Sequence, residues 1–195
     1  MNPIDVPLSQ RLSIAARLMI FVALQLVFGT GVVPAGEIDL GHPTSRTPYD
    51  RYNGPVRQVF GNCGAATVSV ETVRSQLRTA RRFRYYYDPA NPYEPALPEV
   101  TEAKRAGDCK AKALWLAQKM GDSRARYVVG KIDPNARLGH AWLLWPKSGT
   151  WYAVDPTNET DLLLAERIVG RKLFPHYSYN GQGAFVHPSY LTYVK

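Results

Sequence analysis

Asp108 and Gly121 bracket the segment that most constrains how this chain can fold. Asp is a good helix N-cap because its carboxylate accepts a first-turn N–H. Gly stops a helix because it takes the left-handed conformation freely. Between them Ala113, Leu116, Ala117 and Met120 share one face, so the spacing predicts a helix starting near Asp108. Three strand-like runs follow: Arg126 to Lys131, His140 to Trp145 and Thr150 to Val154, all rich in β-branched and aromatic residues. Lys147-Ser148-Gly149 joins the last two as a hairpin. An earlier helical pattern runs from Thr67 to Arg82, with Val70, Val73, Leu77 and Ala80 on one face. Helix, helix, then antiparallel sheet is an α+β layout.

The 195 residues allow one domain with a real core, expected over 61–195. Gly61 to Gly64 reads as a turn, and the proline-rich 88–98 as a loop. A short helical stretch is expected around Leu162 to Ile168, and the Tyr-, Pro- and Gly-rich tail beyond it carries no assigned element. Residues 36–60, with Gly36, Gly41, Pro43, Pro48, Gly54 and Pro55, read as a linker or extended arm. Residues 1–35 read as an export signal: Arg11 and Arg17 precede an apolar run from Leu18 to Phe28, and Val33-Pro34-Ala35 offers small residues for cleavage. A retained inner-membrane anchor is the alternative, although the apolar stretch falls just short of the roughly 17 residues needed to span. Either reading places the domain in the periplasm or outside the cell.

The formal net charge of +8 favours acidic partners. Arg74, Arg78, Arg81 and Arg82 give the first helix a basic flank for an anionic envelope polymer or a membrane surface. No zinc-finger spacing and no aromatic signature of an RNA-binding sheet is present, so nucleic acid is not an expected partner.

The two cysteines, Cys63 and Cys109, carry the chemistry. Outside the cytoplasm a cysteine pair often forms a disulfide, and a Cys63–Cys109 bridge would make the chain a stapled, non-catalytic binding or scaffold domain. Against this, Cys109 lies in the first turn of the expected helix. Unsatisfied N–H groups and the positive end of the dipole gather there. That environment favours a thiolate and offers the Cys109 N–H to an oxyanion. His140 begins one hairpin strand and Asp155 ends the other. A turn centred near Lys147–Ser148 sets the two roughly opposite each other, so the carboxylate can orient an imidazole that accepts the thiol proton. Gln58-Val59-Phe60-Gly61-Asn62-Cys63-Gly64 also precedes a helical pattern, which makes Cys63 an alternative nucleophile.

Four blocks resemble the transglutaminase-like superfamily in the order that family shows. Arg105-Ala106-Gly107-Asp108-Cys109-Lys110-Ala111-Lys112-Ala113 is similar to its nucleophile segment and Ala125-Arg126-Tyr127-Val128-Val129-Gly130 to its next strand. Gly139-His140-Ala141-Trp142 and Trp151-Tyr152-Ala153-Val154-Asp155-Pro156-Thr157 resemble its histidine and aspartate strands. The resemblance spans about residues 83–158. It implies a papain-like core with a Cys-bearing helix packed on an antiparallel sheet. It also implies acyl transfer from a protein or peptide amide through a thioester, with Cys109, His140 and Asp155 as nucleophile, base and orienting acid. Hydrolysis is favoured over transamidation, because a chain this short shows no obvious lid to exclude water. Many bacterial relatives carry an acidic residue after the nucleophile, where this chain has Lys110. Gln58 and Tyr86 are candidate side-chain oxyanion partners.

No cofactor is expected. The four histidines, His42, His140, His176 and His187, include no pair at helical i, i+4 spacing, and there is no CxxC, so no metal is expected either.

Overall fold

The computed structural model describes residues 38–65 and 68–191, so the export-type segment 1–35 lies outside the described residues. The bracketed helix forms as the caps dictate. It is Cys109–Met120, α4 once α1 (Gly54–Gly61), α2 (Val70–Arg82) and α3 (Pro98–Lys104) are counted. Asp108 Oδ1 accepts the Ala111 N–H at 3.0 Å, and Gly121 ends the helix with φ 61°. Ala113, Leu114, Leu116 and Ala117 are buried around nearly the whole circumference, so α4 is a core helix rather than a surface one. Val73, Leu77 and Ala80 of α2 pack against it, as their spacing requires. Each leucine so buried contributes about 1.5–3 kcal/mol.

The other side of α4 rests on a seven-stranded sheet. Its strands are β1 (His42–Thr44), β4 (Arg126–Lys131), β5 (His140–Lys147), β6 (Thr150–Val154), β7 (Leu163–Leu164), β8 (Phe174–Asn180) and β9 (Gly183–Val186). They lie in the order β1-β9-β8-β4-β5-β6-β7, every neighbour antiparallel. A separate parallel pair joins β2 (Arg84–Tyr85) to β3 (Ala106–Gly107) beside the α4 N-terminus. Both faces of β5 are covered. Ala141, Leu143 and Trp145 enter the α4 core, while Trp142 and Leu144 enter a second cluster with Ala165, Val169 and Leu173. Short helices α5 (Ala165–Ile168) and α6 (Pro188–Leu191) complete the chain.

Three expectations need correction. Residues 36–60 are not a bare linker. They carry β1, a 3-10 turn at Asp50–Tyr52 and α1, whose Pro55, Val56, Val59 and Phe60 are buried, within a compact unit spanning Gly36–Lys195. Pro55 stands in the first turn of α1, where the missing N–H costs nothing. The hairpin register is also shifted. Ser148 (φ 51°) and Gly149 (φ 78°) form a two-residue loop between Lys147 and Thr150. The ladder then runs to Leu143 opposite Val154 and stops, so Asp155 is not the cross-strand partner of His140. Finally, the tail beyond Ile168 supplies β8 and β9, and β8 lies inside the sheet against β4.

Two local features matter below. The β4–β8 register slips: Val129 faces Tyr177 but Gly130 faces Pro175, so His176 is the extra residue of a β-bulge. A Cβ on Gly130 would lie 2.1 Å from the Phe174 carbonyl oxygen, so only glycine fits there. On the far side of β8, His187 is fully buried between Ser178 Oγ (2.9 Å from Nε2) and the Asp39 carbonyl oxygen (3.0 Å from Nδ1). Burial lowers its pKa to about 4, so the ring is neutral. The carbonyl can only accept, so Nδ1 carries the hydrogen and Nε2 accepts from the Ser178 hydroxyl.

Candidate active site

Cys109 is the first residue of α4 and is almost wholly buried. Asp108 caps the helix with one carboxylate oxygen and pairs with the Lys110 ammonium through the other. The Cys109 N–H belongs to the first turn, where the helix has no internal acceptor.

His140 opens β5 beside it. Nε2 lies 2.8 Å from Asp155 Oδ2, and Cys109 lines the same cleft as the ring. Burial disfavours the charged ring. The bond to Asp155 and the nearness of Asp155 and Cys109 outweigh it and raise the His140 pKa to about 9. Asp155 is held below the usual carboxylate range despite its burial, because His140, the Thr157 N–H and Asn158 all bond to the charged form. Trp142 stacks against the His140 ring at 5.8 Å between centroids. The structure thus brings Cys109, His140 and Asp155 together through one imidazole.

Asn158 is a member of this cluster that sequence reading missed. Its Nδ2 donates to Asp155 Oδ2 at 2.9 Å and lies 3.2 Å from His140 Nε2. The signal was present, three residues after Asp155, at the spacing of an Asx-type turn. Lys112 was missed too. It is fully buried one turn into α4 and donates to the Phe83 carbonyl at 2.6 Å. Burial and Arg81 lower its pKa, while Asp155 and Cys109 hold it up.

A cleft of about 420 Å³ opens over Cys109 and His140. Tyrosines 49, 85, 87 and 93 line it, with Lys131, Arg137 and His176 at the sheet end. Gln58 and Tyr86 do not reach it. Both line a neighbouring cavity of about 520 Å³ behind Gly107 and Asp108. The alternation of the β2 segment explains this for Tyr86: its N–H bonds to the Gly107 carbonyl, and Tyr85 is the neighbour turned toward Cys109.

Both cysteines are free thiols. Cys63 donates to the Val59 carbonyl at 3.3 Å, and burial, with the Asp122 charge, raises its pKa. Among the described residues no imidazole is bonded to Cys63 and no disulfide joins it to Cys109, so neither the Cys63 nucleophile nor the Cys63–Cys109 staple finds support in the geometry.

No family model and no curated protein matches the sequence. Solved structures share the fold, among them two forms of one protein. LapG from Legionella pneumophila in its calcium-bound form superposes with a TM-score of 0.51 at 17% identity, over 71% of this chain and 77% of that one. The EGTA-treated form gives 0.50 at 16% identity, over 70% and 74%. Among the described residues no group of three or more His, Cys, Asp or Glu is placed to hold a metal, and the Asp108 carboxylate beside the thiol pairs with Lys110. The sheet order, the Cys-bearing core helix and these superpositions together show that the chain has the transglutaminase-like, papain-type fold.

Proposed function

We propose that this protein is an exported cysteine hydrolase that cleaves amide bonds in protein or peptide substrates. One observation carries the reading: a buried imidazole, His140, is bonded to the Asp155 carboxylate and shares one cleft with the Cys109 thiol at the helix N-terminus. The fold shared with LapG supports it. Cys109 Sγ attacks the substrate carbonyl carbon while His140 holds the thiol proton. The oxyanion forms beside the first-turn N–H groups of α4. His140 gives its proton to the amine, the C–N bond breaks, and a thioester remains on Cys109. Water then attacks the thioester, His140 takes the water's proton and returns it to the sulfur, and the carboxylic acid leaves. Asp155 keeps the ring in one orientation throughout. The cleft is open to water, which favours hydrolysis over transfer to an amine. Action outside the cytoplasm follows from the apolar Leu18–Phe28 run. The exposed Arg78, Arg81 and Arg82 on α2 would hold the enzyme near an anionic envelope surface.

The test is alkylation of the folded, non-reduced protein by iodoacetamide, read by peptide mass spectrometry, together with turnover of peptide substrates. Cys109 should label rapidly and His140→Ala should slow it at least tenfold, while Cys109→Ala should lose all turnover and keep its melting temperature. Turnover retained in Cys109→Ala, or a Cys63–Cys109 disulfide peptide in the spectrum, refutes the reading.

A further inference from the structure

The sheet end of the cleft holds three nitrogen-bearing side chains and no carboxylate. Lys131 ends β4, Arg137 stands on the following loop, and His176 is the bulged residue of β8. Within the cleft the one carboxylate is Asp108, and Lys110 already pairs with it. Asp133, on the same loop as Arg137, is exposed, caps the Asn135 N–H at 2.8 Å and does not line the cleft.

The three groups have bonding capacity to spare. His176 is more than nine-tenths buried, yet its Nε2 has no hydrogen-bond partner. A buried polar group left so is costly, and such groups in a folded protein call for a ligand or a function. The bulge explains how it comes to be there. Without the extra residue, position 176 would take its turn in the β8 alternation, whereas the slip re-aims it toward the cleft. Lys131 spends one N–H on the Pro134 carbonyl at 3.2 Å, which leaves two. The Arg137 guanidinium is exposed and bonded to nothing among the described residues.

We propose that Lys131, Arg137 and His176 form a carboxylate-binding subsite of the catalytic cleft. It receives an Asp or Glu side chain, or the C-terminal carboxylate, of the peptide presented to Cys109. This rests on the hydrolase reading for its consequence in turnover but not for binding. Charge-assisted bonds from ammonium and guanidinium give the affinity. His176, in the tautomer that carries its hydrogen on the unpartnered Nε2, adds a buried donor that selects a group able to accept.

The test uses peptides that differ in one place: Glu against Gln at each position, and a free C-terminal acid against an amide. In wild-type protein one carboxylate should raise kcat/KM about 10-fold, as loss of a charge-assisted bond implies. The position of that carboxylate tells a side chain from a chain end. Arg137→Gln and Lys131→Gln, both on exposed or half-exposed residues, should each erase most of the preference and leave iodoacetamide labelling of Cys109 within about twofold. In Cys109→Ala protein, imidazole NMR reads binding without catalysis: the Glu peptide should shift the His176 resonances and the Gln peptide should not. Equal rates for all peptide pairs, or a preference that survives Arg137→Gln, Lys131→Gln and His176→Gln, overturns the subsite. Loss of all turnover with the selective NMR shift intact overturns the hydrolase and upholds the subsite.

Discussion

Asp155 Oδ2 lies 2.8 Å from His140 Nε2 although the β5–β6 ladder that brings the two near has already ended at Leu143 and Val154. A turn does the aiming. Asp155 Oδ1 collects the N–H groups of Thr157 at 2.9 Å and Asn158 at 3.2 Å, which leaves Oδ2 facing the ring. The pairing that orients the imidazole is thus a property of Asp155-Pro156-Thr157-Asn158, and it can be damaged without touching the sheet.

Asp155→Asn keeps the shape of that turn and removes its charge. Turnover should fall about 10²- to 10⁴-fold, as loss of an orienting carboxylate does in triads. The upper limb of the pH–rate profile should move down from about pH 9 toward the ordinary imidazole value. A profile with an unmoved upper limb would show that Asp155 does not set the His140 pKa.

The raised His140 pKa also predicts how stability depends on pH. The folded value of about 9 exceeds the ordinary imidazole value of 6.5, so the folded protein holds this proton more tightly than the unfolded chain. The contribution is complete below about pH 6.5 and is lost as pH rises through about 9. It is on the order of 3 kcal/mol. Urea midpoints should fall across that window in wild type, and the fall should be absent in His140→Ala.

Asn158→Ala removes a donor to Asp155 Oδ2, the oxygen to which His140 Nε2 donates. A hydrogen bond to a charged group is worth about 1.5–3 kcal/mol, so kcat should drop about tenfold or more. Asn158→Asp should be worse, because it sets a second carboxylate against Asp155. Steady-state kinetics on the two variants decides this, and equal activity would remove Asn158 from the positioning shell.

Two lysines of α4 should behave differently. Lys119 pairs with Glu102 at the surface, and Lys119→Ala should cost less than about 1 kcal/mol. Lys112→Ala empties a buried site and leaves the Phe83 carbonyl without its donor, for about 3 kcal/mol. Denaturant melts of the pair check the contrast.

Gly130→Ala should destabilise by about 1–3 kcal/mol or more, because its Cβ would meet the Phe174 carbonyl oxygen and the Trp142 ring. Relief requires the β4–β8 register to shift, so the His176 resonances should move as well. An unperturbed His176 would mean that the bulge does not depend on Gly130.

Where local chemistry decides the structure, the chain is readable. Asp108 and Gly121 cap α4 as their side chains dictate, and the β5–β6 hairpin follows from the aromatic and aliphatic runs on either side of Ser148-Gly149. The unread parts are those where a breaker is tolerated by context. Pro55 looks like linker chemistry but starts α1. Pro98 closes the proline-rich 88–98 loop in sequence terms, yet it starts α3. Pro175 argues against an interior strand, yet β8 lies inside the sheet because the bulge at His176 relieves the ladder at that point.

The site was legible at its centre and not at its edges. Cys109, His140 and Asp155 fall in motifs with fixed local surroundings. Gln58 and Tyr86 sit in no local pattern that ties them to Cys109, and the structure puts both in a different cavity. Asn53, Tyr85 and His176 reach the cleft through contacts between segments far apart in sequence, which no local pattern records.

Ser178, His187 and Asp39 hold the residue types of a hydrolytic triad, with a hydroxyl on one ring nitrogen and an aspartate at the other. Yet Ser178 has no exposed surface, and the neutral His187 serves as a clamp that fastens the segment around Asp39 to β8. The molecule thus holds two buried imidazoles with opposite characters. His140 meets a carboxylate and keeps its proton beside a cleft, while His187 meets a backbone carbonyl and stays neutral, so the same side chain does chemistry in one place and fastening in the other.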